Sequence, residues 1–165
     1  MNNQLYIENQ RQLLCGLHAL NHLFQDNVFT RRYMDALALE CEMDKRAFLG
    51  GYDTGDRHFD PRSGDYSVEV MKKALKIANM EMVSLGDKSD PRAREIVRRS
   101  RFQQAFIVIK NAHWYTLRKF GGVWYEINSV PSEHIVPLEV IGDQIEMFSS
   151  EAKRREFSGI YAIMM

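Results

Sequence analysis

The chain contains two cysteines, Cys15 and Cys41, and five histidines. From such residues a thiolate nucleophile and its general base are made. The thiolate is the reactive form, and a helix N-terminus favours the anion. Between Leu13 and Gln25, Leu13, Leu14, Leu17, Leu20 and Phe24 recur at helical spacing, so a helix begins near Cys15. Cys41 falls in mid-helix on an apolar stripe with Met34, Leu37 and Ala38, where that effect is absent. Either thiol reads equally as a small buried hydrophobe, so position alone leaves the nucleophile open.

A base is found in the second half of the chain. Gly121-Gly122 separates two β-rich runs, His113 to Phe120 and Val123 to Val130, and predicts a two-residue hairpin. If Phe120 faces Val123, then His113 faces Val130 and Tyr115 faces Asn128. His113 and Asn128 become diagonal neighbours on one face, about 7–8 Å apart at the backbone and within side-chain reach. An amide oxygen there accepts from one imidazole nitrogen and leaves the other for a thiol, the arrangement of a cysteine protease. Taken singly, His113 is a hydrogen-bonded strand histidine and Asn128 a turn residue; their adjacency, with a cysteine at an upstream helix start, favours chemistry. Trp114 and Trp124 read as core aromatics that would also shield such a site from water. His18 and His22 share a helical face with Cys15, but a fourth ligand at zinc-like spacing is missing. No metal and no cofactor are expected. His58 and His134 fall in polar stretches and read as solvated.

The elements that position these residues follow from caps and periodicity. Thr30 is an N-cap for a second helix carrying Met34, Leu37, Ala38 and Cys41. Residues 46–66, rich in Gly, Asp and Arg, read as a long irregular excursion. Ser67 caps a helix with Val70, Met71, Ala74, Leu75 and Ala78 on one face. Glu81 to Leu85 is a short strand, and Asp90-Pro91 opens another helix with proline at its first position. Ala105 to Ile109 is a continuous apolar run, the mark of a central strand. Leu138 to Phe148 reads as helical and Ile160 to Met164 as a last strand. Helices followed by an antiparallel sheet give an α+β layer fold.

Composition narrows the class. With 165 residues, 45% apolar and 27% charged, residues 1–165 make one globular domain, expected as a monomer. Its 22 basic residues equal its 22 acidic ones, which points to neither nucleic acid nor a membrane surface. The basic cluster Arg92, Arg94, Arg98, Arg99 and Arg101 lacks interleaved aromatics and reads as a solvated helix end. The N-terminal stretch lacks a signal peptide's pattern. No apolar run approaches the roughly 20 residues of a spanning helix. Two cysteines make no disulfide framework, which suits a reducing compartment, the cytoplasm or nucleus.

Gln10-x4-Cys15-x2-His18-x2-Asn21, followed by His113-Trp114-x-Thr116 and Asn128-Ser129, resembles the Josephin family of deubiquitinases over essentially the whole chain, Tyr6 to about Ile163. The resemblance implies a papain-like fold with Cys15, His113 and Asn128 as a triad. It further implies that Gln10 stabilises the oxyanion, with His18, Asn21 and Trp114 in supporting positions around the triad. Ubiquitin or polyubiquitin is the implied substrate. In the family a helical hairpin lies between the second helix and the Ser67 helix and projects over the cleft; here that segment, within residues 30–66, reads as partly irregular. Ubiquitin's tail is basic, so Asp53, Asp56, Asp60, Asp65 and Glu40 are candidates to meet it, or else a solvated loop surface. The chain is then a bare catalytic module or a fragment. Two other readings stay open, a papain-like hydrolase for another ubiquitin-like modifier and a non-catalytic ubiquitin-binding module.

Overall fold

The computed structural model describes residues 6–7, 15–48, 59–60, 65–86, 89–110, 113–127, 136–138 and 159–164. Helix α1 (Cys15–Phe24) leads into α2 (Arg31–Phe48). Thr30 caps α2: its Oγ1 accepts from the Tyr33 amide at 3.2 Å. Where the sequence suggested an irregular excursion from residue 46, α2 instead continues to Phe48, since Lys45, Arg46 and Ala47 are good helix formers. A small antiparallel ladder follows, with β1 (Phe59–Asp60) paired to β2 (Asp65–Tyr66).

Helix α3 (Val68–Ile77) starts at Ser67, whose hydroxyl accepts from the Val70 amide at 3.3 Å. Tyr66 and Met71 occupy the two positions of a hydrophobic staple around that cap, and both are fully buried. Strand β3 (Glu81–Ser84) follows. Asp90 then caps α4 (Pro91–Arg98), accepting from the Arg92 amide at 2.9 Å, with proline where an amide is not needed. A 3-10 turn (Ser100–Phe102) precedes β4 (Ala105–Lys110), β5 (His113–Phe120), β6 (Val123–Ile127), β7 (Val136–Leu138) and β8 (Gly159–Met164).

The six longer strands form one antiparallel sheet in the order β3-β8-β4-β5-β6-β7. Gly121 and Gly122, with φ of +58° and +80°, make the tight turn between β5 and β6, a conformation that favours glycine at both positions. The pairing runs from Phe120 opposite Val123 to Thr116 opposite Ile127, the register inferred from the turn. Leu138, placed in a helix from sequence, is instead in β7 opposite Trp124; Pro137 is tolerated there because β7 is an edge strand. The remainder of that expected helix, 139–148, lies outside the described residues.

Helices cover the sheet on both faces. On one face Leu17 and Leu20 of α1, the buried side of α2 and α3, and Ile107, Ile109 and Trp114 form a core. On the other, Ala93 and Ile96 of α4 pack with Phe106, Val108, Tyr115, Leu117, Trp124 and Ile160. Burial on both sides explains why β4 is apolar from Ala105 to Ile109 instead of alternating. Among the described residues no helix is long and apolar enough to cross a membrane.

Candidate active site

Cys15 is the first residue of α1 and is fully buried. Its position is set by three hydrogen bonds from β5. The Trp114 amide donates to Cys15 Sγ at 3.5 Å. Two residues along the strand, Thr116 Oγ1 donates to the Ala19 carbonyl at 2.6 Å. Two further, Arg118 Nε donates to the Leu23 carbonyl at 3.0 Å. Four residues of helix advance about 6 Å and two residues of strand about 6.7 Å, so helix and strand keep step over this length. The guanidinium also sits where the helix dipole favours a cation. Arg118 is partly buried, and that burial lowers its pKa. Helix α1 therefore lies parallel to β5, with Cys15 and His113 at the same end of the pair.

The floor beneath Cys15 is close-packed. A Cβ on Gly16 would lie 3.1 Å from Tyr66 Cδ2, 3.4 Å from Trp114 Cδ1 and 3.5 Å from Met71 Sδ, so the glycine permits a close helix approach. The Trp114 indole Nε1 donates to the Tyr66 carbonyl at 2.8 Å. The Tyr66 hydroxyl donates to Asp35 Oδ1 on α2 at 2.7 Å. Burial first, then that hydrogen bond, raise the Tyr66 pKa well beyond the usual phenol range.

His113 opens β5, is half-buried, and its ring stacks on Tyr115 with centroids 6.4 Å apart. It therefore shares the Tyr115 face of the strand, while the next residue, Trp114, faces α1. Asn128 and Gln10 lie outside the described residues, as do Asp53 and Asp56. Asp60 and Asp65 pair across the β1–β2 ladder. Glu40, exposed on α2, makes an ion pair with Lys73 at 3.7 Å.

His18 and Asn21 are both buried on α1. Asn21 organises the turn into α2: its Oδ1 accepts from the Val28 and Phe29 amides at 3.1 and 2.7 Å, and its Nδ2 donates to the Phe29 carbonyl. Trp114 is a fully buried core residue. Among the described residues no three His, Cys, Asp or Glu side chains gather as metal ligands would. Cys41 is a half-buried thiol whose pKa is raised, chiefly by burial, with the nearby Lys73 opposing. Tyr66 and Arg118 were not singled out from sequence, and Thr116 entered only as part of the motif shared with the family. The aromatic residue directly before the Ser67 cap was the one available signal for Tyr66.

A cysteine-bearing N-terminal helix packed on an antiparallel sheet, with a histidine at the head of the facing strand, defines a papain-like α+β fold. The chain belongs to the Josephin family, whose model matches residues 10–160. It is 31% identical to the ataxin-3 homolog of Caenorhabditis briggsae over 130 residues, 78% of this chain and 40% of that protein. It is 29% identical to the ataxin-3 homolog of Arabidopsis thaliana, over 76% of this chain and 48% of that protein. Against Homo sapiens ataxin-3 the identity is 28% over 167 residues, 93% of this chain and 44% of that protein. The chain thus spans less than half the length of these relatives.

Proposed function

We propose that this chain is a thiol-dependent deubiquitinase that cleaves the isopeptide or peptide bond at the C-terminal glycine of ubiquitin. The observation that carries the reading is the contact between the Trp114 amide and Cys15 Sγ, which sets the sulfur against the residue that directly follows His113. Membership of the Josephin family supports the substrate class.

In this reading His113 takes the Cys15 proton and the sulfur attacks the glycine carbonyl. The resulting oxyanion is met by Gln10, and Asn128 holds the imidazole. The C–N bond then breaks as His113 returns the proton to the leaving amine. Water, deprotonated by His113, attacks the thioester carbon; the C–S bond breaks and ubiquitin leaves as a carboxylate. His113 lies on the Tyr115 face at the start of β5, so in this reading the imidazole has to reach the sulfur around that end of the strand. Asp53, Asp56, Asp60, Asp65 and Glu40 supply the acidic surface for the basic ubiquitin tail.

The test uses ubiquitin carrying a C-terminal thiol-reactive group. A covalent adduct is expected with the wild type and with Cys41→Ser, and none with Cys15→Ala. Added salt is expected to slow the reaction, because it screens the attraction between acidic residues and a basic tail. Absence of an adduct with the wild type overturns the proposal. Ubiquitin-like modifiers bearing the same group distinguish ubiquitin from its relatives as substrate.

A further inference from the structure

Three hydrogen bonds in series connect α2 to the Cys15 sulfur. Asp35 Oδ1 on α2 accepts from the Tyr66 hydroxyl at 2.7 Å. The Tyr66 carbonyl accepts from the Trp114 indole at 2.8 Å. The Trp114 main-chain amide donates to Cys15 Sγ at 3.5 Å. The Tyr66 ring reaches the same place by a second route, since it is the nearest obstacle to a Cβ on Gly16, the residue after Cys15. A single residue therefore touches α2 with its hydroxyl, β5 with its carbonyl and the head of α1 with its ring.

We propose that Tyr66 is a positioning residue for Cys15, which transmits the placement of α2 to the sulfur through the series Asp35, Tyr66, Trp114. The proposal rests on the reading of Cys15 as the nucleophile, because only then does the placement of its sulfur govern turnover. Each link is directional, and a fully buried phenol keeps its acceptor because burying the hydroxyl without one is unfavourable. Displacing α2 draws on the Asp35 carboxylate and hence on the Tyr66 ring. A shift of the Tyr66 peptide misaligns the indole, and with it the amide that meets the sulfur. Asp35 is the accessible end of the series: its side chain retains 45% of its exposure and is also paired with Arg31 at 3.5 Å. It can therefore be changed without opening the core.

Alkylation of Cys15 by iodoacetamide at neutral pH, read by mass spectrometry in a Cys41→Ser background, tests the series without any ubiquitin. Asp35→Ala and Tyr66→Phe are each expected to slow alkylation about fivefold, and the double variant to be no slower than the slower single. Asp35→Asn removes the charge but keeps an oxygen to accept the phenol, and is expected to stay within about twofold of the parent. A parental or faster rate in Asp35→Ala overturns the proposal. So does a double variant whose loss is the product of the two singles, or Asp35→Asn behaving as Asp35→Ala. If these rates follow the expected pattern and ubiquitin with its reactive group still forms no adduct, the proposed function fails and the series stands.

Discussion

At the scale of single residues, the proposed chemistry needs somewhere for the Cys15 proton to go, because the sulfur is wholly buried. In the proposed reading that proton goes to His113, which opens β5. His113→Gln is expected to lower kcat/KM on a ubiquitin substrate by roughly 10²–10⁴-fold with an unchanged circular dichroism spectrum. A loss under tenfold would show that another group moves the proton. Cys15 and His113 were legible in the sequence because each opens an element whose start can be read from periodicity or a turn. The bonds made by Thr116 and Tyr66 were not. Their partners are carbonyls and a carboxylate far away in the chain, the Ala19 carbonyl being 97 residues from Thr116, and no local pattern encodes such a bond. Gln10 was named through resemblance alone, since a nearby glutamine, Gln12, is equally polar.

At the scale of elements, α1 is fixed to β5 by the three bonds from Trp114, Thr116 and Arg118. The middle one can be removed almost without changing shape. Thr116→Val replaces a buried hydroxyl by a methyl group and is expected to cost about 1 kcal/mol in urea unfolding. A stability change near zero would mean that packing alone positions the helix. Most elements were legible from their caps: Thr30, Ser67 and Asp90 each start a helix as their residue types suggest. Leu138 was misassigned because a three-residue edge strand containing proline carries too short a period to read. The insertion of β8 between β3 and β4 has no signature in any window of the sequence, because strand order is decided by long-range pairing.

Across the whole molecule, the paired core makes itself felt in alkaline titration. Burial raises the pKa of Tyr66 and of Tyr161; the hydrogen bond to Asp35 adds to it in the first and the charge of Glu69 in the second. A phenol whose pKa is raised on folding holds its proton more tightly in the native state. The stability it contributes is complete below about pH 10, the unfolded value, and is lost as pH rises beyond that. Phenolate absorbance should therefore contain a late-ionising component that diminishes in Tyr66→Phe and in Tyr161→Phe. Absence of any late component, with the fold intact, would contradict the burial of these two rings.

The place of β8 in the sheet also bears on how the chain matures during synthesis. Strand β3 is joined to β4 only through residues 159–164. Residues 81–84 leave the ribosome with no backbone partner and wait for a segment about 75 residues further on, about 4–15 s at ordinary elongation rates. Throughout that interval Glu81 to Ser84 present an open strand edge, which is when a nascent chain is most exposed to mispairing or to capture by a chaperone. The Cys15 helix can dock on β5 once residue 118 has emerged, so the seat of Cys15 forms before the sheet that braces it is closed.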